Sequence, residues 1–141
     1  MNVMSKMIGF ANATFWTDET EILYCEFNNK DATAKLEIET VKSYIDAICT
    51  ICNGNPMPFL INLNEAKGTF NIAAAKFVAN NKDLKKVRIC ESYLINTIGV
   101  KLLIGFYKRL YDPITPFKVF NDIASAKNFC LQTKFNHYES C

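Results

Sequence analysis

The run PFLINL at residues 58–63 decides the fold class of this chain. Its nearly continuous apolar character is typical of a strand that is buried on both faces, as in a parallel sheet. An amphipathic helix pattern spans residues 37–52, and the stop signal NGNP at residues 53–56 separates this helix from the strand. Because a buried strand follows a helix after so short a connection, the chain is predicted to have an α/β fold.

The same alternation of helices and strands extends along the rest of the chain. Two strands rich in aromatic and branched residues, at 7–14 and 21–27, form a predicted N-terminal antiparallel hairpin. After the central strand, the pattern predicts a helix beyond residue 71, a strand at 87–90, a helix at 93–110, a strand at 117–120 and a helix to about 132. The order ββαβαβαβα predicts one domain over residues 1–141 with a mostly parallel sheet. Residues 135–141 are predicted to form a flexible tail.

The helix predicted at 93–110 has the clearest periodicity in the chain. Large apolar residues recur four positions apart, at Leu94, Ile98, Leu102, Phe106 and Leu110. This spacing predicts one apolar helix face. Ser92 stands where the N-cap of this helix is expected.

The composition excludes several classes of protein. Half of the 141 residues are hydrophobic, which favours a packed core over disorder. The formal net charge is only +2, from 16 basic and 14 acidic residues, and this balance argues against nucleic-acid binding. The chain shows no secretory signal and no apolar run of the length that spans a bilayer, so we expect a cytoplasmic location.

Six cysteines raise the question of disulfides and metal binding. Most of them lie among apolar neighbours in predicted helices or strands, so we expect them to pack as free thiols. The C-x-x-C pair of Cys49 and Cys52 falls late in a helix, where the helix dipole does not activate a thiol. Neither a second such pair nor paired histidines accompany it, so no zinc site and no cofactor are expected.

A polar edge is the predicted binding site. In a parallel sheet, ligands collect beyond the carboxyl ends of the strands, next to helix N-termini. The sequence places six residues at this edge: Asn62, Asn64, Lys67, Gly68, Thr69 and Ser92. The alternative interpretation is that Thr69 or Asn71, together with Ser92, are simply helix caps, which are common.

Catalysis has little support in the sequence. The single histidine, His137, lies in the predicted tail, which is a poor place from which to orient a general base. Nucleophile-elbow, Walker and dinucleotide motifs are absent. We therefore expect a protein that is not an enzyme.

The pattern resembles a known group of proteins. A hairpin is followed by the strand at 58–63, by Gly68-Thr69 opening a helix, by Ser92 before a long helix, and by YDPITPFKVFND at residues 111–122 leading into the last helix. The chain is similar in this to small bacterial STAS-like proteins, an uncharacterised subgroup with the fold of the anti-sigma-factor antagonists (SpoIIAA-like). The resemblance implies a regulatory module that acts by protein–protein interaction. A more distant relationship to Sec14-type domains implies a carrier of a small apolar or lipid-like ligand as the alternative.

The resemblance also implies expectations about single residues. In the antagonists a hydroxyl residue at the start of the second helix is phosphorylated, and Thr69 is the nearest match here, although the preceding Asp-Ser pair is missing.

The aromatic residues are expected mainly in the core, with Trp16 partly exposed. A homodimer through the N-terminal hairpin or the third predicted helix is expected from the high apolar content. A cavity lined by Phe106, Leu102 and residues of the first strand would favour the carrier, and a solid core with an exposed patch would favour protein binding.

Overall fold

The computed structural model describes residues 6–31, 33, 35–67, 69–70 and 72–139. Eight strands and five helices occur in these residues, in the following order along the chain: Lys6–Gly9 (β1), Ala13–Thr17 (β2), Leu23–Phe27 (β3), Lys35–Leu36 (β4), Ile38–Cys52 (α1), Met57–Asn62 (β5), Thr69–Phe70 (β6), Ile72–Asn80 (α2), Lys82–Val87 (α3), Arg88–Leu94 (β7), Ile98–Tyr111 (α4), Phe117–Phe120 (β8) and Ile123–Glu139 (α5).

The main sheet has six strands in the order β1-β2-β3-β5-β7-β8. The first three strands are antiparallel, and β3, β5, β7 and β8 are parallel, so the predicted fold class is confirmed. The predicted strand at 7–14 was wrong in one respect, because a turn divides it into β1 and β2. In this turn the Phe10 N–H donates to the Ala13 carbonyl at 2.7 Å. A small parallel sheet of β4 and β6, which the sequence did not predict, lies apart from the main sheet.

Helices cover both faces of the main sheet. Alternating residues of β3 show the division, since Leu23 and Cys25 pack in the same core as α1, whereas Tyr24 packs in the same core as α5. A third, smaller core holds α4 through Ile104, which packs with Tyr93 and Ile95. The central strand β5 is buried along most of its length, as the run PFLINL predicted.

Helix α4 begins later than predicted. The segment RICESYL at 88–94 forms the whole of β7, which is buried and paired on both sides, with β5 and β8. Residues 93 and 94 therefore belong to a strand, and the prediction that they start a helix was wrong. Aromatic and branched residues between two sheet neighbours gain more from strand packing than from helix propensity. The side chain of Thr97 caps α4 by accepting a hydrogen bond from the Val100 N–H at 3.2 Å.

Helix α5 extends to Glu139, beyond the predicted end at residue 132. Residues 135–139, which were interpreted as a tail, are helical, and His137 lies on this helix with its ring against Tyr138. Asp122 caps the start of α5 by accepting a hydrogen bond from the Ser125 N–H at 2.8 Å. Trp16 is half-buried, so its predicted partial exposure is confirmed, and its ring stacks on the ring of Tyr24.

Five cysteines lie in the described residues, and all five are free thiols. Cys49 and Cys52 are in the last turns of α1, and burial raises the pKa of Cys49 and raises the pKa of Cys52 to about 12. A thiol with a raised pKa holds little thiolate at neutral pH and reacts slowly. The C-x-x-C pair is therefore part of the packing of α1.

We expect all six cysteines of the chain to be reduced. Thiol titration of the unfolded protein without reductant should give six reactive groups, and in the native protein Cys25, Cys52, Cys90 and Cys130 should react slowly because they are buried. A count of four groups in the unfolded protein would contradict this expectation.

Candidate functional site

The structure brings three of the predicted edge residues together after β5. Asn62 ends the strand, and its side-chain oxygen accepts a hydrogen bond from the Asn64 N–H at 3.0 Å. Lys67 is exposed, and its N–H donates to the Asn29 carbonyl at 2.9 Å, which ties this loop to the end of β3. The side-chain oxygens of Asn28 and Asn64 are buried without a hydrogen-bond partner among the described residues. The edge therefore offers two acceptors and one cation.

Ser92 does not belong to this edge, and its prediction as a cap or ligand residue was wrong. It lies inside β7 and is fully buried, and its hydroxyl donates to the Ala126 carbonyl of α5 at 3.0 Å. Thr69 lies in β6, where its backbone pairs with Lys35, three positions before α2 begins at Ile72. Gly68 and Asn71 lie outside the described residues. The phosphorylation of Thr69 stays a prediction.

The hydrogen bonds of Thr97 and Ser92 predict the effects of three substitutions. Thr97→Ala should lower the free energy of unfolding by about 1 kcal/mol through the lost cap, whereas Thr97→Asp should keep it because Asp is itself a good N-cap. Ser92→Ala should cost about 1 kcal/mol for a different reason, the loss of one buried hydrogen bond to α5. Urea denaturation measures all three variants. Equal stability of Thr97→Ala and the wild type would contradict the cap.

The exposed face of α4 is the most unusual surface of the molecule. The apolar stripe that the spacing predicted faces solvent, with side chains between 56% and 78% exposed at Ile98, Leu102, Leu103, Phe106 and Leu110. Only Ile104 and Lys108 of this helix are buried. Five large apolar side chains on one helix add up to several hundred Å², a size of patch that usually marks an interaction site. We call these five residues the α4 face.

A cluster of four buried charges lies on the opposite side of α4. The Lys108 ammonium donates to Glu91 at 2.6 Å and to Asp112 at 2.8 Å. The Arg88 guanidinium lies 3.7 Å from Glu91 and 3.4 Å from Asp112. Each of these side chains is at most 4% exposed. Two cations and two anions are thus removed from water together, which is tolerable only because they neutralise one another.

The ionisation of neighbouring groups follows from this cluster. Burial raises the pKa of Asp112, but the hydrogen bonds from Lys108 and from the Thr115 N–H outweigh burial and hold this pKa below its usual value. Burial, followed by the nearby charge of Glu91, raises the pKa of Tyr93 and Tyr107. A lowered folded-state pKa means that Asp112 stabilises the fold above its unfolded-state pKa, and that this stability is lost as the pH falls through the folded-state pKa.

The cluster attaches α4 to the sheet. Arg88 and Glu91 belong to β7, Lys108 belongs to α4, and Asp112 follows the last residue of α4. Lys108 also lies over the ring of Phe117 in β8, 5.3 Å from its centroid. These residues were not predicted as a cluster, although Arg88 and Glu91 are charged residues in a buried strand and Lys108 and Asp112 have the four-residue spacing of a helical ion pair.

The clefts near these surfaces are shallow and open. One of about 420 Å³ lies between α1 and the helices α2 and α3, lined in part by Lys42, Asp46 and Asp83. Another of about 300 Å³ lies beside the charge cluster, at Lys108, Asp112 and Phe117. Leu102 and Phe106 line neither of them. Among the described residues, no group of three or more His, Cys, Asp or Glu side chains is arranged to hold a metal ion.

Comparisons with known proteins agree with the fold. A solved structure of an uncharacterised protein of the DUF3478 family from Shewanella loihica PV-4, described as having a SpoIIAA-like fold, is similar over 92% of this chain and 94% of that chain, with a TM-score of 0.54 and 15% identity. The predicted SpoIIAA-like fold is thereby confirmed. No curated protein matches the sequence. The helices of the described residues are all too short or too polar to cross a membrane. The model of the family described as "Domain of unknown function (DUF7793)" matches residues 15–134, and the chain belongs to this family.

Proposed function

We propose that this protein is a non-enzymatic regulatory module that docks another protein on the α4 face. The observation that carries the proposal is the exposure of five large apolar side chains on the single helix α4. Exposed contiguous apolar surface costs free energy in the isolated protein, and a partner that covers it recovers that cost.

The attachment of α4 supports the same function. The side of α4 that faces the sheet is held by the cluster of four charges and by the small apolar core around Ile104. The apolar stripe on the opposite side of the helix is therefore available to a partner. A rigidly mounted helix presents its anchor residues in one arrangement, which reduces the entropy that a partner must overcome on binding. Phe106 is the natural anchor of the stripe, because aromatic residues are enriched among the residues that dominate binding energy.

The exposure of Leu102 and Phe106 argues against the carrier alternative. It needs Leu102 and Phe106 to line an enclosed space, and both side chains face solvent instead. The polar edge at Asn62, Asn64 and Lys67 is the second region where a partner or ligand is proposed to bind.

Site-specific photo-crosslinking in the native cells tests the proposal. A photoreactive amino acid at position 102 or 106 should give a discrete adduct with another protein. The same amino acid at position 135, a half-exposed phenylalanine of α5, serves as the matched control and should not. Adducts of equal yield at all three positions, or none at 102 and 106, would contradict docking on α4.

A further inference from the structure

The charged residues of α4 and of the neighbouring helix α2 are all cationic. Helix α4 contains Lys101, Lys108 and Arg109 and no Asp or Glu, and of these three only Lys108 is buried. Helix α2, which packs against α4, also contains no acidic residue and has one exposed cation, Lys76. The two helices therefore present an apolar surface with cations on it and no carboxylates.

Arg109 is part of this surface. Its guanidinium lies 5.3 Å from the centroid of the Phe106 ring, so a cation stands directly beside the proposed anchor. A partner that covers Phe106 also approaches Arg109 and removes water from it. Desolvating a cation is costly unless the partner supplies a carboxylate or other anion.

We infer that the partner is an acidic amphipathic helix, with an apolar stripe flanked by Asp and Glu. This inference rests on the proposed docking function of the α4 face. Ile98, Leu102, Phe106 and Leu110 lie four residues apart and form the kind of ridge that fits the groove of a second helix in the commonest class of helix packing. A helix of 14 residues is about 21 Å long, which suits a partner helix of three to four turns.

A second copy of this chain fits the surface less well. In a symmetric pairing of two α4 helices, Lys101 and Arg109 of one copy would meet cations of the other copy, because α4 has no carboxylate to offer. Juxtaposed like charges disfavour such a pairing. An anionic membrane surface would meet three exposed cations, Lys101 and Arg109 of α4 and Lys76 of α2, at about 1 kcal/mol each, which is weak for stable adsorption.

Two synthetic peptides test the inference. Both carry the same leucine stripe on a helix-favouring sequence of 18 residues, and they differ only in having Glu or Lys at the flanking positions. Fluorescence anisotropy should show that the wild type binds the acidic peptide about tenfold or more tightly than the basic one, since attraction at two exposed cations replaces repulsion. The preference should shrink at high salt.

Charge-reversal variants are the matched test. Lys101→Glu combined with Arg109→Glu should invert the preference between the peptides. The same charge change on α3, Lys85→Glu with Lys86→Glu, should leave the preference as it is, because both lysines are exposed on a different helix.

The outcomes separate the charge inference from the proposed function. Equal binding of both peptides, lost in Leu102→Glu with Phe106→Glu, would overturn the acidic partner and leave docking on α4 intact. Binding of neither peptide would overturn the inference, in favour of lipid if the wild type binds phosphatidylserine vesicles, or of a second copy if it sediments as a dimer. Absence of α4 adducts in the crosslinking experiment would overturn the docking function itself.

Discussion

Lys108→Met is expected to lower the free energy of unfolding by about 3–5 kcal/mol, the cost of breaking a buried ion pair by removal of one partner. The substitution leaves the carboxylates of Glu91 and Asp112 buried with a single cation, Arg88, whose nitrogens lie 3.4 Å or more from them. Methionine keeps much of the length of the lysine side chain, so the loss of stability measures the effect of the missing charge rather than that of a cavity. Chemical denaturation monitored by circular dichroism measures the change.

A matched substitution on the same helix provides the control. Lys101→Met removes an exposed lysine and should change the stability by no more than about 0.5 kcal/mol. Asp112→Asn is a milder variant if Lys108→Met does not fold, because asparagine still accepts the Thr115 N–H while the negative charge is lost. A loss below about 1 kcal/mol in both cluster variants would contradict the view that the cluster holds α4 on the sheet.

Leu102→Glu combined with Phe106→Glu is expected to weaken partner binding on the order of 30-fold or more, because loss of a central interface anchor costs about 2 kcal/mol or more. The stability of the free protein should change little, since both side chains are more than half exposed. Titration calorimetry with the crosslinked partner, produced separately, measures the affinity.

Phe135→Glu is the control for this double variant. Phe135 is exposed to a similar degree, but it lies on α5, which packs on the opposite face of the sheet. We expect the affinity of the Phe135→Glu variant for the partner to equal that of the wild type. If the α4 variant binds as tightly as the wild type, the proposed docking surface is wrong.

Much of the fold was predictable because its elements have strong local signals. The run at 58–63 is apolar enough to mark a central strand, and the NGNP segment ends α1 with Asn53 and Gly54 in left-handed conformations, as its composition implied. The order of elements then fixed a mostly parallel sheet. The small sheet of β4 and β6 was missed because two-residue strands carry no periodicity.

The α4 region was predicted poorly for a physical reason. A four-residue spacing of apolar residues reports that a helix has an apolar face, but not whether the protein or a partner covers it. In this chain the protein covers the other face, with Ile104 and a charged residue, Lys108. Burial of a lysine depends on carboxylates distant in sequence, such as Glu91, and a single sequence does not show that they meet.

The polar edge was only partly predictable. Asn62 and Asn64 follow β5 as expected, because the end of a strand is a local feature. Ser92 was misplaced because the end of β7 was set too early, and a shift of a few residues moves a side chain from a loop into the core. Its true partner, the Ala126 carbonyl of α5, is distant in sequence.

Amide hydrogen exchange on the protein with and without its crosslinked partner tests the central claim most directly. If the partner docks on the α4 face, exchange should slow over residues 98–111 and change little over α5. Unchanged exchange at 98–111, with protection appearing instead around residues 62–67, would contradict docking on α4 and assign binding to the polar edge.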